Sequence, residues 1–314
     1  MNKVFITGSE GFAGQHLVNL LKSDYKILGL SRKNNLPDEE NVQYFIGDIL
    51  NKDTIYEILK NHRPDAIIHL AGIAKTWGND PKEVFDINLY GTLILYEAIT
   101  KLKNESDFNP KIIFISSAEV YGKTADTSSI DENSPLNPTN TYGVSKLAAD
   151  RLSYQYSQTN KLNIIIVRPF PHIGPGQGNG FFVSDMASQI AQVEKDPNTN
   201  EILAGNLKAI RDYSDVRDVV KAYKAILEKD LPAGEVFNIC SGVGIKIEEV
   251  LEKMLSLANK KIKVKQDPKR MRPVDLPIYV GNNKKLVEAT GWTQKYTIDD
   301  TLSDVIDYWR SKNG

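Results

Sequence analysis

Cysteine is almost absent: Cys240 is the only one in 314 residues. It has no partner for an intrachain disulfide, and no cysteine zinc cluster can form. The four histidines, His16, His62, His69 and His172, lack a metal-ligand spacing such as H-E-x-x-H. No apolar run approaches the ~18 residues of a membrane span. Charge of one sign is not in excess: 39 lysines and arginines face 40 aspartates and glutamates, a formal net charge of -1. That balance argues against a dedicated nucleic-acid binder but leaves room for a local basic pocket. There is no internal repeat and no low-complexity tract. The first seven residues already read as a strand, which leaves no room for a signal peptide. The expectation is a soluble protein of the cytoplasm.

What the chain does have is a regular alternation of short apolar runs and amphipathic stretches. The patterning predicts strands over 3–7, 26–31, 42–46, 66–70, 111–116 and 163–168. Helices are predicted over 11–23, 52–61, 82–101 and 142–156. Near-continuous apolar strands separated by helices imply an α/β protein whose parallel sheet is covered on both faces. Right-handed crossovers make that sheet doubly wound, a Rossmann arrangement. Ligands of such sheets bind beyond the carboxyl ends of the strands. After Arg168 the character changes. Residues 169–180 hold three prolines and four glycines, too broken for regular structure. Helices are predicted over 181–193, 215–228, 247–258 and 298–310, with a strand over 235–239. Order is expected to be weaker at 195–198 and 269–277.

The first strand runs into Gly8-Ser9-Glu10-Gly11-Phe12-Ala13-Gly14, which opens the first helix. Glycines at this spacing let the backbone turn tightly and approach a pyrophosphate held at the helix N-terminus. Gly8, Gly11, Phe12, Ala13 and Gly14 are therefore candidate coenzyme contacts. The second strand ends at Leu30-Ser31-Arg32-Lys33, with no acid to take a ribose hydroxyl. Arg32 could pair with a 2′-phosphate instead, which favours NADP(H) over NAD(H) while leaving NADH possible. The plainer reading makes Arg32 and Lys33 solvated turn residues. Asp48 and Ile49 follow the third strand, where an adenine could be flanked. Leu70-Ala71-Gly72 is small enough for a coenzyme to pass, and Asn88 lies in the next helix. The chain thus divides into residues 1–170, a coenzyme-binding domain with a return segment near 206–240, and residues 171–314, a smaller substrate-binding α/β domain.

Tyr142 and Lys146 stand at i and i+4, on one face of a helix. A tyrosine ordinarily titrates near pH 10, and a neighbouring ammonium would lower that value. The same lysine could hold a nicotinamide ribose. Ser117, at the end of the fifth strand, could hydrogen-bond the oxygen of a reacting carbonyl. Ser, Tyr and Lys in this order, behind a glycine-rich first turn, make a coherent hydride-transfer site.

These motifs resemble the extended short-chain dehydrogenase/reductases, the NAD-dependent epimerase/dehydratase superfamily. The glycine turn, Asp48, Leu70-Ala71-Gly72, Asn88, Ser117, Tyr121-Gly122, Tyr142/Lys146 and Arg168-Pro169 fall in that family's order over almost the whole chain. The resemblance implies a nucleotide-sugar substrate, with Tyr142 as acid/base, Lys146 as its partner and Ser117 as the third member. Glu119 falls where related dehydratases carry a glutamate base; for a reductase, binding of a sugar hydroxyl is the preferred reading. A homodimer through the helices at 82–101 and 142–156 is also implied.

Finer resemblance is to the GDP-sugar branch. It rests on Arg168-Pro169-Phe170-Pro171-His172-Ile173-Gly174-Pro175-Gly176-Gln177, then Gly180 to Val183, Gly205-Asn206-Leu207, Arg211 to Asp218 and Arg272-Pro273-Val274-Asp275. The Ile-Gly-Pro-Gly-Gln continuation is similar to that of the 4-keto-6-deoxy-sugar reductases rather than the GDP-mannose 4,6-dehydratases. The implied reaction is NADPH-dependent reduction of the C4 ketone of GDP-4-dehydro-6-deoxy-D-mannose to GDP-D-rhamnose; a dehydratase or a UDP-sugar 4-epimerase is the alternative. Ala118, Pro171, Val183, Arg211, Arg272 and Asp275 join Ser117 and Glu119 as candidate substrate contacts. Pro171 replaces the asparagine of the pattern, which removes a side-chain hydrogen bond. The guanidinium groups of Arg211 and Arg272 suit paired phosphate oxygens. Alternatively, Arg211 and Arg217 pair with Asp212, Asp215 and Asp218, and Arg272-Pro273 is a rigid turn.

Overall fold

The structure is a computed structural model that describes residues 2–33, 36, 39–75, 78–123, 128–271 and 276–312. Seven strands form its central sheet: β1 (Lys3–Thr7), β2 (Lys26–Ser31), β3 (Val42–Ile46), β4 (Ala66–His69), β5 (Lys111–Ile115), β6 (Ile164–Pro169) and, much later in the chain, β11 (Val236–Ile239). Their order is β11-β6-β5-β4-β1-β2-β3, and every neighbouring pair is parallel. The order reverses beside β1, whose Thr7 lies in register with Leu30 on one side and His69 on the other. A crevice at such a reversal is where open α/β sheets bind ligands.

Both faces of the sheet are covered because its residues alternate between two cores. Val4, Ile6, Ile68, Ile113 and Ile165 pack under α1 (Phe12–Leu21) and α7 (Val216–Glu228). Phe5, Leu28, Ile67, Ile112 and Ile166 pack under α2 (Lys52–His62), α4 (Gly91–Ser106) and α5 (Thr141–Thr159). A separate core joins α6 (Phe182–Lys195), α8 (Ile247–Ser256) and α10 (Ile298–Lys312). Small sheets accompany it: β7 (His172–Ile173) with β10 (Ser214–Asp215), β8 (Glu201–Ala204) with β13 (Lys263–Gln266), and β9 (Ile210–Asp212) between β12 (Gly244–Lys246) and β14 (Ile278–Tyr279). No helix among the described residues is long and apolar enough to cross a membrane.

Two sequence expectations need correction. The helix expected over 82–101 is broken into α3 (Pro81–Phe85), a π-helical turn (Asp86–Tyr90) and α4. The residue inserted by a π turn shifts the helical period locally, and turns of this kind cluster at functional sites. Regular structure also enters the segment 169–180, where β7 pairs with β10. Strands of two to four residues are too short to show an alternating pattern, as is the seven-residue α9 (Lys284–Thr290) to show helical spacing.

Candidate active site

The carboxyl ends of β1, β4 and β5 open toward one crevice. Gly8 takes φ +71°, a left-handed conformation that glycine enters freely, and a side chain there would run into the backbone of Ala71. Its carbonyl accepts from the Gly11 amide at 3.0 Å, closing the turn before α1. Gly11 caps α1 without any side-chain hydrogen bond, and no acid occupies the first turn. The first amides of the helix are thus left to an anion, which fits a pyrophosphate. Thr7 fastens β1 to β4: its hydroxyl meets His69 Nδ1 at 2.6 Å and accepts from the Ala71 amide at 3.1 Å. His69 Nε2 bonds Thr92 Oγ1 at 3.0 Å, and burial with Lys146 nearby lowers the imidazole to about 3, so it is neutral.

Ser117, Tyr142 and Lys146 come together at the end of β5. They are 7%, 8% and 5% exposed. Ser117 caps a single 3-10 turn (Ala118–Val120), accepting from the Glu119 amide at 3.1 Å. Tyr142 and Lys146 stand on the first two turns of α5, whose N-cap is Asn140, accepting from the Gly143 amide at 2.8 Å. Gly143 lets the helix approach that 3-10 turn: a Cβ there would lie 2.7 Å from the Glu119 carbonyl oxygen. Lys146 Nζ donates to the Ile115 carbonyl at 2.7 Å. Its remaining donors suit ribose hydroxyls.

The electrostatics differ from expectation in one respect. Burial pushes the Tyr142 phenol up to about 12; a hydrogen bond with Ser117 pulls it down, and the Glu119 charge pushes it up again. Lys146 does not lower it. Burial instead lowers the Lys146 ammonium to about 8, against the opposing pull of Asp150. The low-pKa Tyr–Lys pair is therefore replaced, in the chain alone, by a firmly protonated phenol and a destabilised ammonium.

The other candidate residues are distributed as follows. Phe12 stacks on His172, with ring centroids 5.9 Å apart, and Ala13 and Gly14 follow it in α1. Asp48 is exposed and accepts from the Leu50 amide at 2.9 Å, while the Ile49 side chain is buried in the α2–α4 core. Leu70, Ala71 and Gly72 line the β4 end. Asn88, on the π turn, clamps the next loop to α5: Oδ1 accepts from the Ile73 amide at 2.8 Å, and Nδ2 donates to Ser145 Oγ at 2.9 Å. Ala118 is buried and its carbonyl accepts from the Tyr279 hydroxyl. Pro171 is half-buried, its carbonyl accepting from Ser214 at 3.0 Å. Val183 does not face an open site; its side chain is fully buried in the core of α6, α8 and α10. Arg211 Nη1 donates to the carbonyls of Ile210 and Leu276 at 2.8 and 2.7 Å. Arg272 and Asp275 lie outside the described residues. Arg32 is exposed at the end of β2, and the absence of an acid there is corrected: Glu10 arrives from the glycine turn and accepts from Ser31 Oγ.

A family model described as GDP-mannose 4,6 dehydratase matches residues 5–305. The chain belongs to this family. It is 34% identical over 314 residues to GDP-6-deoxy-D-mannose reductase of Pseudomonas aeruginosa, covering 99% of this chain and 98% of that protein. It is 28% identical over 297 residues to GDP-6-deoxy-D-talose 4-dehydrogenase of Aggregatibacter actinomycetemcomitans, covering 94% and 93%. The solved structure of RMD from Pseudomonas aeruginosa complexed with NADPH superposes with a TM-score of 0.85 at 34% identity, covering 99% of this chain and 100% of that one.

Asn140, Asp150 and Asn238 of this dehydratase-family chain escaped the sequence reading. Asn140 Nδ2 donates to Glu119 Oε2 at 2.8 Å, linking the segment after β5 to the start of α5. Its position before a helix was the available signal. Asp150 receives Arg168 through Nε and Nη2 at 2.9 and 3.0 Å and Ser116 Oγ at 2.8 Å, all buried. Arg168 also donates to the Tyr121 hydroxyl at 3.0 Å, which in turn donates to Asn238 Oδ1 at 2.7 Å. This network holds β5, β6, β11 and α5 in one register behind the site, and only the i, i+4 spacing of Lys146 and Asp150 on α5 hinted at it.

Proposed function

We propose that the chain is a GDP-sugar 4-ketoreductase that converts GDP-4-dehydro-6-deoxy-D-mannose to GDP-D-rhamnose with NADPH. The observation that carries this reading is the convergence of Ser117, Tyr142 and Lys146 at the end of β5 in a chain 34% identical, over its full length, to GDP-6-deoxy-D-mannose reductase. A relative's structure complexed with NADPH supports the coenzyme, as do the uncapped N-terminus of α1 and the spare donors of Lys146.

NADPH, held by the glycine turn and Lys146, would supply the hydride that C4 receives. Tyr142, kept protonated by burial, gives its phenolic proton to the C4 oxygen as negative charge develops there. Ser117 hydrogen-bonds the same oxygen and stabilises that charge. Lys146 holds the ribose and, when protonated, stabilises the phenolate left behind. Gly8, Gly11 and the start of α1 take the pyrophosphate, Arg32 the 2′-phosphate, and Asp48 with the backbone of Ile49 the adenosine. Asn88 keeps Leu70-Ala71-Gly72 and its following loop at the right depth. On the sugar side Glu119 accepts from a sugar hydroxyl, Ala118 and Pro171 line the pocket, and Arg211, Arg272 and Asp275 meet the GDP. The proposed assembly is a homodimer through the π turn, α4 and α5, where Tyr90, Val144 and Tyr154 are 53%, 41% and 45% exposed. The proposed compartment is the cytoplasm.

The test is incubation with NADPH and a panel of 4-keto and intact nucleotide sugars, with products identified by NMR. Stoichiometric NADPH consumption with GDP-D-rhamnose formation is expected. GDP-6-deoxy-D-talose as the product would retain the ketoreductase and reverse the face attacked. Turnover of GDP-mannose or a UDP-sugar without net NADPH consumption would replace the reading by a dehydratase or an epimerase.

A further inference from the structure

Glu10 belongs to the glycine turn, yet its carboxylate is spent at the end of β2. It accepts from Ser31 Oγ and from the Lys33 amide at 3.1 Å. Ser31 Oγ in turn accepts from the Lys33 amide at 2.9 Å. The preceding residue, Ser9, donates its hydroxyl to the Leu30 carbonyl at 3.0 Å, so the turn is fastened to the strand end at two consecutive residues. Ser31 is buried, Glu10 is half-buried, and Arg32 is exposed beside them. A hydroxyl and a backbone amide that converge on one carboxylate oxygen at the end of the second strand, next to the exposed Arg32, form an anion site. It is the place where coenzymes with and without a 2′-phosphate are told apart. Here one anion already occupies it, and that anion is the chain's own.

We infer that Glu10 sets the coenzyme preference of this chain: it competes with a 2′-phosphate for Ser31 and Lys33, and accepts from the free 2′-hydroxyl when the phosphate is missing. The inference rests on the dinucleotide reading above and deepens it. A carboxylate and a phosphate cannot share these donors without mutual repulsion, so binding of NADPH displaces Glu10 toward solvent. A coenzyme lacking the phosphate leaves Glu10 in place. It then does the work of the acid that the end of β2 lacks. Wild-type chain thus favours NADPH less sharply than Arg32 alone would make it, because Glu10 offsets part of the attraction of Arg32 for the phosphate.

Isothermal titration calorimetry separates the terms without any turnover. The titrants are NADPH, NADH, adenosine 2′,5′-bisphosphate and adenosine 5′-monophosphate. The proteins are wild type, Glu10→Gln, Glu10→Ser and Arg32→Ala. Both Glu10 variants are expected to tighten NADPH and the bisphosphate by about tenfold or more and to weaken NADH several-fold. Arg32→Ala is expected to weaken only the two 2′-phosphate ligands. An NADPH-to-NADH Kd ratio that is unchanged in both Glu10 variants, while wild type binds both coenzymes, overturns the role of Glu10 and leaves the proposed function standing. Failure of wild type to bind either coenzyme overturns the proposed function and this inference together.

Discussion

Asn140 and Glu119 are bonded side chain to side chain at 2.8 Å, while Asn140 also caps the helix that carries Tyr142. One residue therefore sets the distance between the segment bearing Ser117 and the helix bearing the phenol. Asn140→Ala removes a cap worth about 0.5–2 kcal/mol. The melting temperature is expected to fall by a few degrees and kcat to fall further than that loss explains, with NADPH affinity unmoved. Asn140→Asp restores the cap but sets a carboxylate against Glu119, so stability should recover and kcat should not. Unchanged kcat in the alanine variant would reduce Asn140 to a helix cap.

Tyr142→Phe removes one oxygen from a buried site. The expected outcome is a loss of about 10²–10⁴ in kcat, with NADPH affinity by calorimetry nearly unchanged. Full activity in this variant would exclude Tyr142 as the proton donor.

The pH dependence follows from the two buried groups. Tyr142, at about 12, remains a proton donor throughout the neutral range, whereas Lys146, at about 8, loses its charge just above it. We expect kcat/KM to fall as pH rises through about 8, and Lys146→Arg, which stays charged, to move that limb upward. Stability of the coenzyme-free chain carries the opposite slope. Between about 8 and the ordinary 10.5 of lysine, the unfolded chain holds a proton that the folded chain has released, so Lys146 makes stability rise with pH. Below that window its buried charge is a constant penalty. Urea midpoints should therefore show Lys146→Met gaining most over wild type at neutral pH and less as pH rises. A gain that grew with pH would contradict the burial of the ammonium.

Arg168 and Asp150 form a buried ion pair. Burial works against the Asp150 charge, but Arg168 and Arg151 hold its carboxyl below the usual range. Arg168→Met alone leaves that buried charge only the half-exposed Arg151 as a cationic partner and should destabilise by up to about 3–5 kcal/mol. Combining it with Asp150→Leu should recover most of the loss in a denaturation series. Equal stability of the single and double variants would mean that the pair is not coupled.

Two arginines in one segment make different contacts. Arg217 pairs with Asp215 and with Asp304, both at 2.7 Å, which bears out the pairing alternative for that residue. Arg211 reaches the carbonyls of Ile210 and Leu276, the latter next in sequence to Asp275. Arg211→Ala is expected to raise KM for the GDP-sugar by an order of magnitude with NADPH affinity unchanged. Arg217→Ala should lower the melting temperature and leave KM alone. The reverse pattern would exchange their assignments.

The parallel sheet was legible because its strands are buried on both sides, so Val4-Phe5-Ile6 and Ile112-Ile113-Phe114 read as unbroken apolar runs between helices. The Ser117, Tyr142 and Lys146 positions were legible because strand ends and helical spacing are local. Glu10 was not, because its partners lie at the end of the next strand, and residue order along a turn does not say where a side chain will reach. Val183 misled for the opposite reason: its neighbours in the chain look like a binding segment, but the face of α6 on which it falls is a packing face. The Lys146 bond to the Ile115 carbonyl was equally hidden, since it depends on how closely α5 approaches β5.

The pairing of β11 with β6 has a consequence for biosynthesis. When a ribosome has released only the first 170 residues, β6 is an open edge of bare amides and carbonyls beside an apolar face, and its natural neighbour is still some seventy residues away in the tunnel and beyond. The nascent chain is most vulnerable to sticking to its siblings in that interval, and a chaperone that shields the uncovered edge would act then rather than after release.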